Sequence, residues 1–324
     1  MGRGRRYAGA GQYRRRGRTK GRGEPGPPPS GSTAVLSGTL SGAASISADL
    51  GIRVALDAAI SGATTVSADL SVSWVPSDLS NVAAWFRADL GHTASDGGAV
   101  SAWSNQISGG SAWDLSQGTG SLQPTFDEDL ASANNQSSIS FDGGDTLESA
   151  TGSAWEVADD GDHTTVAVIR PRHSSGITNV MGTDNNANGG WYTRSRVSGG
   201  NTVCFIFDST GAFSRGTAGL MTQNVTDVLA TEFTGQTSPT NDAFIVSVGG
   251  TSGAADNDDL GAIVPSGGSG SENFIVGNNA TGTGNFDGDI MEIIVIDGVL
   301  SSGDESDLVD YLNDRYNLSL TAVI

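Results

Sequence analysis

One cysteine, three histidines and five tyrosines in 324 residues leave little material for several kinds of chemistry. With Cys204 alone no intrachain disulfide can form; within the strand-like TVCFIFD it reads as a small buried apolar residue. His92, His163 and His173 fall in turn-like surroundings and read as surface residues. No Gly-x-Ser-x-Gly elbow accompanies them, which argues against a nucleophilic triad, and the same scarcity argues against zinc. No apolar run reaches the roughly 18 residues of a membrane span, and the N-terminus carries charge without an apolar stretch. The expectation is therefore no signal peptide and no membrane insertion.

Positive charge is missing from most of the chain. Of 17 basic residues, nine lie in the first 23 positions: Arg3, Arg5, Arg6, Arg14, Arg15, Arg16, Arg18, Lys20 and Arg22. No acid precedes Glu24, so the remainder sets 8 basic against 36 acidic groups, a net charge of −28. A basic arm on an acidic body speaks to partners rather than to fold. The Arg/Gly tract of residues 1–23 cannot build a core. It reads as a docking arm for an acidic protein surface, as a nucleic-acid tether with Tyr7 and Tyr13 for stacking, or as a solvated tail.

What the chain has in abundance is glycine, 47 residues of it, with many Ser, Thr, Asn and Asp, the composition of short strands joined by tight turns. Residues 24–31 form a Pro/Gly hinge with three consecutive prolines as a stiff spacer. Across residues 32–74, LSGAASISADL recurs as ISGATTVSADL after 20 residues, with apolar and polar positions alternating. One copy is too short to bury its own apolar face, so the repeat reads as a β stalk closed by partner chains, trimers favoured. Two hairpins packed on the main domain are the plainer alternative.

After Val75-Pro76 the main domain begins, with strand patterns at Thr164–Pro171, Trp191–Val197, Thr202–Asp208, Ala243–Gly249 and Asn273–Gly277. Near the end, residues 290–296 form a strand apolar on both faces, Ile290, Ile294 and Ile296 on one and Met291, Ile293 and Val295 on the other. Such a strand must be covered twice, by a second sheet and by the helix that follows. Ser302 and Glu305 read as that helix's capping box, with Leu308, Leu312 and Tyr316 along its buried face. The fold class is all-β: an antiparallel two-sheet jelly-roll sandwich with a C-terminal α-helix, preceded by the stalk and the basic arm.

The succession AWFRADLG, VSAWSNQISG, SISFDGGDTLES, TVAVIRP and FDGDIMEIIVIDGVLSS, followed by LVDYLNDRYNL, resembles the concanavalin A-like, laminin-G-type jelly roll of bacterial and bacteriophage surface proteins. The resemblance covers residues 78–320 and implies two facing antiparallel sheets. The family hosts glycan-binding, adhesive and hydrolytic members, so it leaves function open. Arm, stalk and head in this order resemble the layout of phage fibre, spike and decoration proteins. That layout implies a protein of the virion surface, bound to other virion proteins through residues 1–74, with a host-surface glycan as candidate ligand. Nucleic acid enters only through the arm.

A glycoside hydrolase needs two carboxylates flanking one bond. The best cluster is Asp287, Asp289 and Glu292, but strand alternation places Glu292 on the opposite face, and DGDIME lacks the first Glu of the hydrolytic pattern. Catalysis is not expected. Calcium is the one cofactor with any candidates: Asp184, Asn186 and Asn188 match half a calcium loop whose twelfth position is Ser195 instead of Glu, and Asp142 and Asp145 form a second acidic turn. For glycan binding the candidates are Asn186, Asn188, Trp191, Tyr192, Arg194 and Arg196, since Tyr192, Arg194 and Arg196 share one strand face at period two.

Overall fold

The computed structural model describes residues 74–150, 162–183, 190–200, 202–207, 213–234, 243–253, 255–256, 273–278 and 284–324. The basic arm, the hinge, the repeat stalk up to residue 73, Asp184, Asn186, Asn188 and the side chain of Cys204 lie outside the described residues.

In chain order the strands are β1 (Val82–Arg87), β2 (Ala102–Trp103), β3 (Leu115–Ser116), β4 (Thr125–Leu130), β5 (Gln136–Asp142), β6 (Leu147–Ser149), β7 (His163–Pro171), β8 (Ile177–Gly182) and β9 (Gly190–Arg196). They continue with β10 (Thr202–Phe207), β11 (Phe213–Ala218), β12 (Asp227–Thr234), β13 (Ala243–Val248), β14 (Thr251–Ser252), β15 (Ala255–Asp256), β16 (Ile275–Val276) and β17 (Asp287–Asp297). Helix α1 (Ser302–Tyr316) follows. One antiparallel sheet runs β14-β13-β12-β7-β17-β5-β4, with β1 also on β17; the other runs β15-β11-β10-β9-β8-β16-β6-β3-β2. This is the two-sheet sandwich with a C-terminal helix that the turn-rich sequence implies.

β17 is the spine of the first sheet. It pairs with β7 along its length, and its other edge is shared between β5 at residues 287–290 and β1 at residues 292–296. One apolar cluster fills the space between the sheets, with Phe86, Trp103, Phe141, Trp191, Phe274 and Ile293 fully buried. A second lies between the first sheet and α1, where Val166, Val168, Ile294 and Ile296 meet Leu308, Leu312 and Tyr316. Both faces of β17 are covered, as its doubly apolar pattern requires.

A β-bulge changes which residues share a face. Ile290 pairs with Ile169 and Glu292 with Val168, leaving Met291 as the extra residue. Simple alternation therefore fails: Ile290, Ile293 and Val295 face the second sheet, while Met291, Ile294 and Ile296 face the helix. Glu292 turns to the helix side as well, and the expectation that it points away from Asp287 and Asp289 is corrected.

The helix start moves by one residue. Ser301, extended at φ −69° and ψ 156°, is the N-cap; its hydroxyl oxygen accepts from the Asp304 N–H at 3.2 Å and donates to the Asp304 carboxylate at 2.7 Å. Glu305 instead accepts the N–H groups of Val323 and Ile324 at 3.0 and 3.2 Å, clamping the chain's last residues onto the helix. The histidines also differ from expectation. His163 opens β7 and is fully buried, its ring between Trp191 and Phe233, and His173 is buried against Phe286. Burial holds the His173 imidazole below its usual range.

Candidate functional site

Strand β9 carries four of the six residues singled out for glycan binding, and its pleat separates them. Trp191 points into the core, where its ring meets His163 and Phe274, so it offers no platform to a ligand. Tyr192, Arg194 and Arg196 share the opposite, outward face, as period two dictates. Tyr192 is itself only 5% exposed, and the Arg194 guanidinium carbon sits 4.2 Å from the centre of its ring. The aromatic face is thus occupied, and the half-buried guanidinium is what this row presents.

The neighbouring strand braces that guanidinium. Arg194 Nε donates to Asn179 Oδ1 at 2.8 Å, and Asn179 Nδ2 donates to the Gly284 carbonyl at 3.0 Å. Gly182 lies opposite Tyr192, where an added Cβ would run into the Trp191 carbonyl and the Tyr192 side chain. Arg196 is half-buried one step along the same face, and its Nε has no hydrogen-bond partner.

Of the three carboxylates that β17 carries on its outward face, Asp289 and Glu292 are fully engaged and Asp287 is part-exposed. Asp289, 1% exposed, accepts from Arg170 Nε at 2.7 Å and from Arg172 Nη1 at 2.8 Å. Arg172 also donates to Asp287 at 3.1 Å, to Ser140 Oγ at 2.6 Å and to the Phe141 carbonyl. Glu292, completely buried, accepts from Trp85 Nε1 at 2.5 Å, Tyr311 OH at 2.9 Å and Tyr316 OH at 2.6 Å, with Arg315 Nε 3.9 Å away. Burial pushes the Glu292 carboxyl up, while Tyr316, Trp85, Arg315 and Tyr311 pull it down. The bulge does bring Asp287, Asp289 and Glu292 onto one face. Yet one is held by two arginines and another is sealed beneath α1, so neither Asp289 nor Glu292 is free to act as nucleophile, acid or base.

The Asp142/Asp145 turn is closed on itself. Asp145 Oδ2 accepts the Asp142 N–H at 2.9 Å, and Asp142 Oδ1 accepts the Gly144 N–H at 2.8 Å. Burial, with the Asp142 carboxylate beside it, pushes Asp145 up to about 6. Among the described residues no group of three or more His, Cys, Asp or Glu side chains is placed to hold a metal.

Sequence reasoning missed the arginine clamp and the role of Trp85 and Tyr311. A signal for the first was present: Arg170-Pro-Arg172 and Asp287-Gly-Asp289 both have period two, and antiparallel pairing sets one against the other. Nothing comparable marked Trp85, which reaches Glu292 only through the β1–β17 pairing.

Neither a protein-family model nor a curated protein sequence matches the chain. Among solved structures, domain 4 of the AbnA arabinanase from Geobacillus stearothermophilus, in complex with arabinotriose, is similar over 73% of this chain and 98% of that one, at 12% identity and a TM-score of 0.49. The CBM40 of the Ruminococcus gnavus IT-sialidase, bound to α2,3-sialyllactose, is similar over 53% of this chain and 95% of its own, at 17% identity and a TM-score of 0.39. The Trypanosoma rangeli sialidase is similar over 73% of this chain but only a third of its own length, 33%, at 12% identity and a TM-score of 0.43. At these identities the likeness is one of backbone and carries no residue role across.

Proposed function

We propose that this chain is a non-catalytic recognition protein of a bacteriophage particle, a fibre, spike or decoration subunit whose sandwich head binds glycan on the host surface. The observation that carries the glycan reading is the outward row of β9: two half-buried guanidiniums side by side, one laid on the Tyr192 ring and braced by Asn179, in a body that is otherwise strongly acidic. Planar, pre-oriented donors of this kind suit hydroxyl and carboxylate groups of a saccharide. The particle assignment rests on the arm, hinge and repeat of residues 1–74, which on this reading dock to other virion proteins and close by trimerisation. Of the carboxylates that a hydrolase on this strand would use, Asp289 and Glu292 are tied into the fold and only Asp287 is part-exposed, which disfavours the depolymerase reading.

The test is incubation of the full chain with purified surface polysaccharide of candidate bacterial hosts. Retention of the polymer at unchanged length is expected, with Arg194→Ala/Arg196→Ala reducing retention about tenfold, the loss of one or two charge-assisted bonds. Shortened polymer would replace this reading with the hydrolase one, and no retention by any host polysaccharide would remove it.

A further inference from the structure

On the outward side of the first sheet, where α1 ends, lies a cavity of 410 Å³. Its walls come from three places: the β4–β5 connection (Ser132, Asn134, Asn135), the segment before β12 (Asn224, Val225, Thr226) and the end of the helix (Tyr316, Asn317, Leu318). It is a half-open depression rather than an enclosed cleft, so a ligand here would stay partly in solvent. No charged side chain lines it, although the body around it carries a net −28.

Among the described residues, four non-glycine residues have positive φ: Asn134 at 57°, Asn135 at 56°, Asn224 at 60° and Asn317 at 53°. All four line this cavity. Left-handed backbone is met with glycine at twelve other described positions, so the chain has a ready side-chain-free solution for a turn. Asparagine is the usual alternative to glycine at such positions, Asn134 and Asn317 being αL caps, and here the four carboxamides fall around one depression. Asn134 ties the rim together, its Nδ2 donating to the Arg315 carbonyl at 3.1 Å, and Thr226 Oγ1 donates to Ser132 Oγ at 3.3 Å across the opening. Asn135, Asn224 and Asn317 are exposed, and among the described residues their carboxamides have no hydrogen-bond partner. Beside them stand Val225, 47% exposed, and Leu318.

Uncharged donors and acceptors next to a small apolar wall match a sugar ring, which offers hydroxyls along its edge and C–H groups on its faces. An anionic ligand finds no cation here and meets the negative end of the helix dipole. We propose that this cavity is a second saccharide site, selective for neutral hexose or pentose units and separate from the arginine row on β9. The proposal rests on the glycan reading above and adds to it a distinct location and a ligand class.

The test uses the full chain and fluorescently labelled neutral oligosaccharides of glucose, galactose, mannose and arabinose, with 3′-sialyllactose as the anionic probe, read by fluorescence anisotropy. The variant is Asn135→Gly/Asn224→Gly/Asn317→Gly, because glycine keeps each left-handed backbone and removes only the carboxamide. A thermal melt within a few degrees of wild type establishes that it folds. The expected result is binding of at least one neutral probe, weakened about tenfold in the triple variant. Neutral binding that survives the triple variant, or binding of sialyllactose alone, would overturn the cavity assignment and leave the glycan reading standing. If no probe and no host polysaccharide binds, both fall together.

Discussion

Asp145 shows how one side chain sets a pH dependence. Its carboxyl stands near 6 in the folded protein against about 3.8 for the ordinary group, because it is buried beside Asp142. A raised carboxyl binds its proton more tightly folded than unfolded. The stabilisation is therefore fully present below pH 4 and is lost as pH rises through 6. Asp142 is exposed and water reaches the turn, so the loss is on the order of 1 kcal/mol rather than the full shift. Asp145→Asn keeps an oxygen for the Asp142 N–H and cannot ionise. It is expected to be about 1 kcal/mol more stable than wild type at pH 7 and no more stable at pH 4, checked by urea melts at both. Glu292, also pushed up by burial, differs in gathering three donors around its carboxylate. Glu292→Leu fits the apolar surroundings but strands Trp85 Nε1 and both tyrosine hydroxyls, and is expected to cost about 3–5 kcal/mol. Glu292→Gln retains an acceptor and is expected to cost about 1 kcal/mol in the same melts.

At the scale of elements, β17 and α1 were legible because their patterns are strong: apolar residues on both strand faces, then Leu308, Leu312 and Tyr316 at helical spacing, all three buried. The bulge was not legible, since an extra residue leaves no mark in a strand apolar on both faces, and it alone decides that Glu292 meets Tyr311 and Tyr316. His163 escaped for a related reason: β7 begins one residue earlier than its apolar pattern suggests and carries the ring inside. The candidate site was half legible. Period two put Tyr192, Arg194 and Arg196 together, but Arg194, two residues along the same strand, stacks over the tyrosine, and no pattern in a single strand foretells the depression that three distant segments line. The cap was displaced because Ser301 and Ser302 each have an acid three residues on, and only the extended backbone at Ser301 distinguishes them. Ser301→Ala is accordingly expected to lower stability by about 1 kcal/mol, and Ser302→Ala to change it by less than about 0.5 kcal/mol, measured by chemical denaturation.

For the whole molecule, the described head supplies both of its cores from one chain: one between its sheets, the other beneath its own helix. Chains whose residues 24–324 carry a net −28 repel one another, so any association must be held by something other than the acidic surface. The repeat of residues 32–74 has apolar alternation and too little length to bury it, and on the proposed reading it is the part that closes with neighbours. Trp74 belongs with the head, its ring packing edge-on against Tyr311 at 5.9 Å, so a truncation should begin at Trp74 and not after it. Light scattering on the two forms separates the roles. The full chain is expected at three times its chain mass and the Trp74–Ile324 form at once, with the same melting transition for the head in both. Raising salt should leave the full-length trimer intact, because apolar closure of a stalk gains nothing from charge, while weakening any contact made through Arg3–Arg22. A full chain that runs at a single chain mass would leave the repeat folded against its own head, and the trimer would go with it.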